Sequence, residues 1–316
     1  MRQPLMAGML LMGILLPENV AWAGNHKGFQ LSTLQSDQMT AAQINTLADL
    51  GATIVRYPVY VKSYDLDYWL PKLDVAANVC LQRNVVLVIC IFPQIIGGAP
   101  VPAPGDPNAF VATWTTIARR YANWGGHLWF DLCNEPSDPT WPAVALRAAR
   151  AIRASDTRHS IVYAAPGITT APAPTIVPLP GISKQIIEFH FYDWYKDVQF
   201  YNPHLAVQPP SVPYPSANRT QDVLRSRLQR VADVTSRYPD VSVYIGEVAI
   251  PRWHPNAGRF LRDFTSICDD LQIHLTVHAF REAEVWDYEN FRVDNPVMDP
   301  PANPNVWTSL TNWLKN

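Results

Sequence analysis

The sequence has almost no net charge and lacks the motifs of several common enzyme classes. It contains 27 acidic and 25 basic residues, a net charge of −2. This balance provides no basic surface for nucleic acid or for an anionic membrane. The absence of H-E-x-x-H argues against a zinc hydrolase, and the absence of G-x-S-x-G argues against a serine esterase. We therefore expect no metal, no cofactor and no nucleic-acid partner.

Cysteine is also scarce, with four residues in 316: Cys80, Cys90, Cys133 and Cys268. Their spacing matches neither a zinc site nor a dense disulfide framework. Cys80 and Cys268 fall in separate predicted helices. Cys90 and Cys133 fall on neighbouring predicted strands, where the geometry of a disulfide between parallel strands is restrictive. We predict four free, buried thiols.

The N-terminus has the three parts of an export signal. Arg2 precedes the apolar run Leu5–Leu16, and A-W-A at 21–23 is a cleavage site. The apolar run is too short to span a bilayer, although a retained anchor is an alternative. We predict a signal peptide at 1–23 and a secreted or periplasmic protein at 24–316, with no membrane contact after cleavage. No composition break or internal repeat divides 24–316, so we predict one domain.

Eight strand-like segments alternate with helical segments along the chain. The strands are predicted at 28–33, 52–59, 84–92, 128–136, 160–165, 185–192, 242–249 and 273–280. The helices are predicted at 40–50, 68–83, 108–124, 141–154, 222–238, 258–271 and 305–314, and the Pro-rich connection 166–183 holds at best a short helix. Alternation implies parallel strands with right-handed crossovers, and eight units fit an α/β protein of the (β/α)8 TIM-barrel type. A doubly wound open sheet is the alternative, but the sequence has no G-x-G-x-x-G loop.

Two of these strands end in glutamate. The stretch L-W-F-D-L-C-N-E-P delivers Asn134 and Glu135, and S-V-Y-I-G-E-V-A delivers Glu247. A lone glutamate before a loop is equally well explained as a cap. A barrel, however, brings the carboxyl ends of its strands to one mouth, and paired carboxylates there are suited to cleaving a glycosidic bond.

Further polar residues lie near other strand ends. Arg56 lies in I-V-R-Y-P, and His190 and Tyr192 lie two residues apart on one strand face. Each of them alone is more simply explained by a structural role. Together with Asn134, Glu135 and Glu247 they make six polar residues at the same end of several strands, which packing does not explain.

These motifs resemble those of glycoside hydrolase family 5, the cellulase-like group of retaining (β/α)8 hydrolases. G-A-T-I-V-R-Y-P, D-L-C-N-E-P, F-H-F-Y and Y-I-G-E follow the order of the family's second, fourth, sixth and seventh strands, and H-A-F-R-E resembles some eighth strands. The resemblance runs from Lys27 to the C-terminus. One departure is the family's histidine at the end of the third strand, where this chain reads I-C-I-F-P-Q with Phe92 or Gln94 nearby.

The resemblance implies a role for each of the six residues. Glu135 acts as acid and then base, and Glu247 is the nucleophile, with the two carboxyl groups about 5–5.5 Å apart. Arg56 and Tyr192 favour the ionised form of Glu247, and His190 orients the network. Asn134 binds the sugar 2-hydroxyl.

Tryptophan is plentiful, at 11 residues, and three tryptophans follow strand ends. Trp194, Trp253 and Trp286 are predicted to stack on sugar rings, the alternative being loop residues packed on the scaffold. Trp114 and Trp129 are predicted to be core residues.

The function predicted from the sequence is that of an exported, monomeric, retaining, endo-acting β-glycosidase. An endo-β-1,4-glucanase is the first choice of substrate class. A β-mannanase, another β-glucanase and a non-catalytic carbohydrate-binding barrel remain alternatives, the last because the third-strand histidine is missing.

Overall fold

Eight parallel strands form a closed barrel in which each strand pairs with its neighbours in chain order. The computed structural model describes residues 24–31, 37–61, 65–92, 105–169, 173–192, 214–252, 254, 256–281, 286–289 and 304–316. The strands are β1 (Lys27–Leu31), β2 (Ile54–Tyr60), β3 (Val86–Phe92), β4 (Leu128–Asp131), β5 (Ser160–Thr169), β6 (Gln185–Phe191), β7 (Val241–Val248) and β8 (His274–Phe280). The barrel prediction is confirmed and the open-sheet alternative is wrong. The predicted signal peptide lies outside the described residues.

Seven α-helices surround the barrel in the described part of the chain. They are α1 (Asp37–Asp49), α2 (Leu66–Arg83), α3 (Pro107–Tyr121), α4 (Trp141–Arg153), α5 (Gln221–Arg237), α6 (Ala257–Asp270) and α7 (Pro304–Lys315). Between β5 and β6 the described residues contain a single 3-10 turn, Ala173–Thr175. Within the same residues, no helix combines the length and apolar character needed to cross a bilayer.

Helix starts and helix packing both follow from identifiable side chains. The Asp106 carboxylate accepts a hydrogen bond from the N–H of Asn108, and Pro107 supplies the first residue of α3.

On the inner face of α3, the Trp114 indole N–H donates to the Leu132 carbonyl at 2.9 Å. Trp141 at the start of α4 donates in the same way to the Ala164 carbonyl at 2.7 Å. These buried indoles fix α3 against the residue that follows β4 and α4 against β5.

The barrel interior is apolar in its lower part, near the N-terminal ends of the strands. We call this set the lower interior layer: Ile54, Val86, Val88, Trp129, Val162, Ile186 and Tyr244. Alternate residues of each strand point inward, so every second position supplies this layer. Trp129, like Trp114, is a core residue. All four cysteines are buried with free thiols.

Two stacked histidines lie against Trp129. The rings of His26 and His274 have centroids 5.2 Å apart, and the His26 backbone N–H donates to His274 Nδ1 at 2.9 Å. Burial lowers the pKa of His26 to about 4, against a smaller opposing effect of its hydrogen bond to Thr53. Burial and the neighbouring His26 lower the pKa of His274 to about 3. Both rings are therefore neutral in the folded protein at neutral pH.

This pair predicts a loss of stability in acid. An unfolded histidine takes up a proton near pH 6.5, whereas the folded His26 does so only near pH 4. The free energy of unfolding therefore falls as the pH drops from 6.5 to about 4, by about 3 kcal/mol for one such ring. His274→Asn keeps an acceptor oxygen close to the Nδ1 position and removes the titration. Urea unfolding at pH 7 and pH 4.5 should show a smaller acid loss in this variant, and equal losses would contradict the prediction.

Candidate active site

The structure brings the six predicted polar residues together: five lie at the C-terminal mouth of the barrel, whereas Arg56, predicted near a strand end, is the third of the seven residues of β2 and lies beneath them. Arg56 is in β2, Glu247 is near the end of β7, and His190 in β6 pairs in register with Glu247. Tyr192 follows β6 directly, and Asn134 and Glu135 follow β4. One carboxylate oxygen of Glu135, one ring nitrogen of His190 and one carboxylate oxygen of Glu247 all lie within 4.8 Å of one another. The site is therefore built from β2, β4, β6 and β7.

Arg56 is the central cation beneath this mouth and is fully buried. Its Nη1 donates to Glu247 Oε1 at 2.6 Å, and its Nη2 donates to Asn134 Oδ1 at 3.0 Å. Further contacts of the same guanidinium are Gln30 Oε1 at 2.5 Å, Cys90 Sγ at 3.0 Å, Asp131 Oδ2 at 3.0 Å and Glu188 Oε1 at 3.2 Å. A rigid five-donor fork can serve so many acceptors, whereas a lysine cannot.

Glu247 is a buried carboxylate held between positive charges. Tyr192 donates its hydroxyl to Oε2 at 2.7 Å, and Nδ1 of His190 and of His278 lie 3.7 Å and 3.9 Å from the same oxygen. Burial by itself would raise the pKa of Glu247. The charges of His190, His278 and Arg56 and the Tyr192 hydrogen bond outweigh burial and lower the pKa well below its usual range. Glu247 is therefore ionised at neutral pH.

Glu135 has a different environment. Its side chain is 47% exposed and accepts a hydrogen bond from His190 Nδ1 at 2.9 Å. Its φ of 43° lies in the left-handed region, which costs a non-glycine residue roughly 1–3 kcal/mol. β4 ends at Asp131, earlier than the predicted 136, because the chain leaves the strand to make this turn. The turn places the Glu135 carboxylate over the mouth.

His190 joins the two glutamates. Burial opposes its positive charge, but the charge of Glu247 and contacts with Glu135 and Glu188 prevail and raise the pKa of His190 to about 10. The ring is therefore an imidazolium at neutral pH. It lies between one ionised, buried carboxylate and one solvent-facing carboxylate.

The sequence interpretation missed a layer of polar residues below the six, three of them buried and the fourth, His278, partly exposed. Gln30, Asp131, Glu188 and His278 contact Arg56 or Glu247. Asp131 and Glu188 stand inside motifs that were interpreted as apolar strands. The sequence signal for such residues was a charged side chain at a strand position that faces the barrel interior. Glu188, for example, is two residues before His190 and therefore lies on the same face of the strand. Burial and Glu188 raise the pKa of Asp131 to about 7, against the effect of Arg56.

The end of the third strand is aromatic where the family has a histidine. Phe92 lies with its ring centroid 5.4 Å from the Arg56 guanidinium carbon and 4.9 Å from the Tyr60 ring. Cys90, two residues earlier, contacts Arg56 through Sγ. Gln94 lies outside the described residues. Within the part of this wall that the structure describes, an aromatic ring therefore stands next to Arg56, with no imidazole.

Of the three tryptophans predicted at the mouth, the structure describes one. Trp286 is partly exposed, with its ring 6.3 Å from Tyr192 and 5.8 Å from His278 between centroids. It therefore stands next to the residues that contact Glu247. Trp194 and Trp253 lie outside the described residues.

A parallel eight-stranded barrel with two neighbouring glutamates at its C-terminal mouth has the form of a glycoside hydrolase. The sequence model of the family described as cellulase (glycosyl hydrolase family 5) matches residues 18–255 of the chain. The chain belongs to this family and is a glycoside hydrolase. No curated protein matches it in sequence.

Solved structures share the fold at low sequence identity. Cellulose synthase subunit Z (CcsZ) from Clostridioides difficile is 15% identical with a TM-score of 0.70, over 90% of this chain and 99% of that one. Thermotoga maritima Cel5A in complex with cellobiose is 16% identical with a TM-score of 0.71, over 90% and 97%. Cel5A with mannotriose is 17% identical with a TM-score of 0.68, over 87% and 90%.

Proposed function

We propose that this protein is a retaining, endo-acting β-glycosidase that hydrolyses β-1,4-glucan. The observation that carries the proposal is the spacing of the two glutamates, whose facing oxygens lie within 4.8 Å. Retaining enzymes hold their carboxyl groups about 5–5.5 Å apart, whereas inverting enzymes need about 6.5–9.5 Å to admit a water. The short spacing supports direct attack by one carboxylate.

In the first step, a Glu247 oxygen attacks the anomeric carbon while Glu135 transfers its proton to the departing glycosidic oxygen. Arg56 and Tyr192 each hold one oxygen of Glu247, which keeps the nucleophile ionised and oriented. The Asn134 amide oxygen is occupied by Arg56, so its NH2 group is directed to the sugar. A donor to the 2-hydroxyl strengthens its bond as the oxocarbenium-like transition state forms.

His190 supplies the proton that Glu135 needs. In the free enzyme, the imidazolium Nδ1–H donates to the half-exposed Glu135 carboxylate. A bound sugar removes water from that carboxylate, and desolvation favours a neutral pair over an ion pair. The proton then passes to Glu135. In the second step, water loses a proton to Glu135 and attacks the anomeric carbon, which releases the Glu247 carboxylate.

Our proposal for the substrate is based on an aromatic residue at the mouth of the barrel and on the sugars bound in similar solved structures. Trp286 provides a ring at the edge of the site for stacking on a pyranose. The Cel5A structures hold cellobiose in one case and mannotriose in another. We place β-1,4-glucan first because the family model is that of the cellulases, and β-mannan or another β-glucan second.

The test is a substrate panel of barley β-glucan, carboxymethylcellulose, glucomannan, mannan and xylan. We expect reducing sugar to appear fastest with a β-1,4-glucan, with viscosity falling early because internal bonds are cut. Product anomers followed by NMR should first show the β form. Glu247→Gln, similar in shape, is the control preparation.

Two results would contradict the proposal. Appearance of the α anomer first would remove retention. Binding of the glucans without hydrolysis would support the alternative of a carbohydrate-binding barrel.

We also propose that the protein is exported and acts as a monomer. The basis for export is the N-terminal sequence, Arg2, the apolar run Leu5–Leu16 and the A-W-A site. N-terminal sequencing of the protein recovered from culture medium or periplasm should begin at Gly24.

A further inference from the structure

Glu188 is a fully buried carboxylate that no step of the proposed mechanism uses. It lies in β6, two residues before His190, and its exposed fraction is 0%. Its Oε1 is 3.4 Å from His190 Nε2 and 3.2 Å from Arg56 Nη2. Glu188 thus stands between the cation that contacts Glu135 and the cation that contacts Glu247.

The neighbouring strand is shaped to admit this carboxylate. Phe189 pairs with Ile245 and His190 pairs with Glu247, so Gly246 forms a bulge in β7. A Cβ at Gly246 would lie 1.8 Å from Glu188 Oε1. Only glycine at this position leaves the Glu188 side chain in place.

We propose that Glu188 is a positioning residue that holds the Nε2 proton of His190 and thereby makes the Nδ1 proton, which faces Glu135, the one that moves. The proposal rests on the proposed role of Glu135 as acid and base. The 3.4 Å separation is an ion-pair distance and not a hydrogen bond, so Glu188 acts through its charge, which disfavours loss of the proton from the nearer ring nitrogen.

The charges around His190 agree with this assignment. Glu135 and Glu247 face the ring from the Nδ1 side, Tyr192 contacts its edge, and Glu188 is the carboxylate on the Nε2 side. The raised pKa of His190 includes a contribution from Glu188. When Nδ1 gives up its proton to Glu135, Nε2–H remains opposite a negative charge, so the neutral ring keeps one orientation.

Asp131 provides a matched control. It is a second fully buried carboxyl group, and it contacts Arg56 at 3.0 Å as Glu188 does. No contact between Asp131 and His190 is present in the described residues. Asp131→Asn therefore tests the general effect of altering a buried carboxyl group near Arg56 while Glu188 stays on the Nε2 side of the ring.

The experiment compares Glu188→Gln, Glu188→Asp and Asp131→Asn with the parent. The first readout is the pH titration of the His190 ring nitrogens by NMR, assigned from its loss in His190→Asn. The second is the pH profile of kcat/KM.

In Glu188→Gln we expect the His190 titration and the basic limb of the profile both to move down by about one pH unit or more, because a negative charge next to the ring is lost. Glu188→Asp should shift less, and Asp131→Asn should leave the basic limb within a few tenths of a unit.

An unchanged His190 titration in Glu188→Gln would overturn the proposal, as would an equal shift in Asp131→Asn. If Glu188→Gln does not fold, Gly246→Ala offers a second way to displace the carboxylate and should give the same shift. The NMR titration is independent of turnover, so it judges this proposal even if the roles of Glu135 and Glu247 are wrong.

Discussion

Glu247→Ala should abolish hydrolysis of every substrate, whereas Glu135→Ala should retain activity on activated ones. Glu247 is the proposed nucleophile, so its removal should eliminate the covalent step, and both polysaccharide and aryl glycoside should fail. Removing the acid matters only when the leaving group needs a proton, so an aryl glycoside with an acidic phenol should still react. On polysaccharide, the loss in Glu135→Ala should be about 10²–10⁴-fold, roughly 3–5 kcal/mol of transition-state stabilisation. Steady-state kinetics on both substrates measures it.

Azide separates the two roles further. In Glu135→Ala, a small anion can replace the activated water in the second step, so azide should accelerate turnover of the aryl glycoside and give a β-glycosyl azide. The structure motivates this difference, because Glu135 is half-exposed and Glu247 is buried under Arg56 and Tyr192. If azide instead rescues Glu247→Ala with retention of configuration, the roles proposed for the two residues are reversed.

Arg56→Met should be the most destabilising single substitution at the site. It would leave Asp131, Glu188 and Glu247 buried without their shared cation. Removing one partner of a buried ion pair costs about 3–5 kcal/mol, because the remaining charge stays uncompensated. Urea unfolding at pH 7 should show a loss of at least this size. Arg56→Lys should lose less, because it keeps the charge and gives up only the fork.

Gln30→Ala is the matched control for this prediction. Gln30 accepts from the same Nη1 of Arg56 but carries no charge. Its loss should cost about 1.5–3 kcal/mol, as for one hydrogen bond to a charged group. A similar loss in Gln30→Ala and Arg56→Met would mean that packing, and not charge compensation, dominates the effect of Arg56.

The sequence predicted the architecture well because the strands are apolar runs and the helices have clear limits. The predicted and observed ends of α4 differ by one residue, and those of α6 by one residue at each end. β4 was predicted too long: Leu132 and Asn134 still donate backbone hydrogen bonds to Val162 and Ile91, but the regular strand ends at Asp131. The left-handed turn at Glu135 leaves no mark on the hydrophobic pattern.

The six residues at and beneath the mouth could be anticipated because strand ends in a barrel share one face. The polar layer below them could not, because its four members come from four different strands and reach Arg56 or Glu247 only after the barrel closes. Glu188 and Arg56 are 132 positions apart in the chain, yet their side chains are 3.2 Å apart. Gly246 illustrates the same limit. A side chain is excluded there by a bulge in β7 and by Glu188 of the neighbouring strand β6, and the local sequence shows neither.

The left-handed backbone at Glu135 carries an evolutionary implication. Glycine or asparagine adopts such a conformation at less cost than glutamate. In a lineage that used the barrel only to hold sugars, drift and selection for a more stable fold would both favour replacing this glutamate. In this chain the left-handed position holds a glutamate that stands opposite an ionised one, a pairing that bond cleavage needs and that sugar binding alone does not.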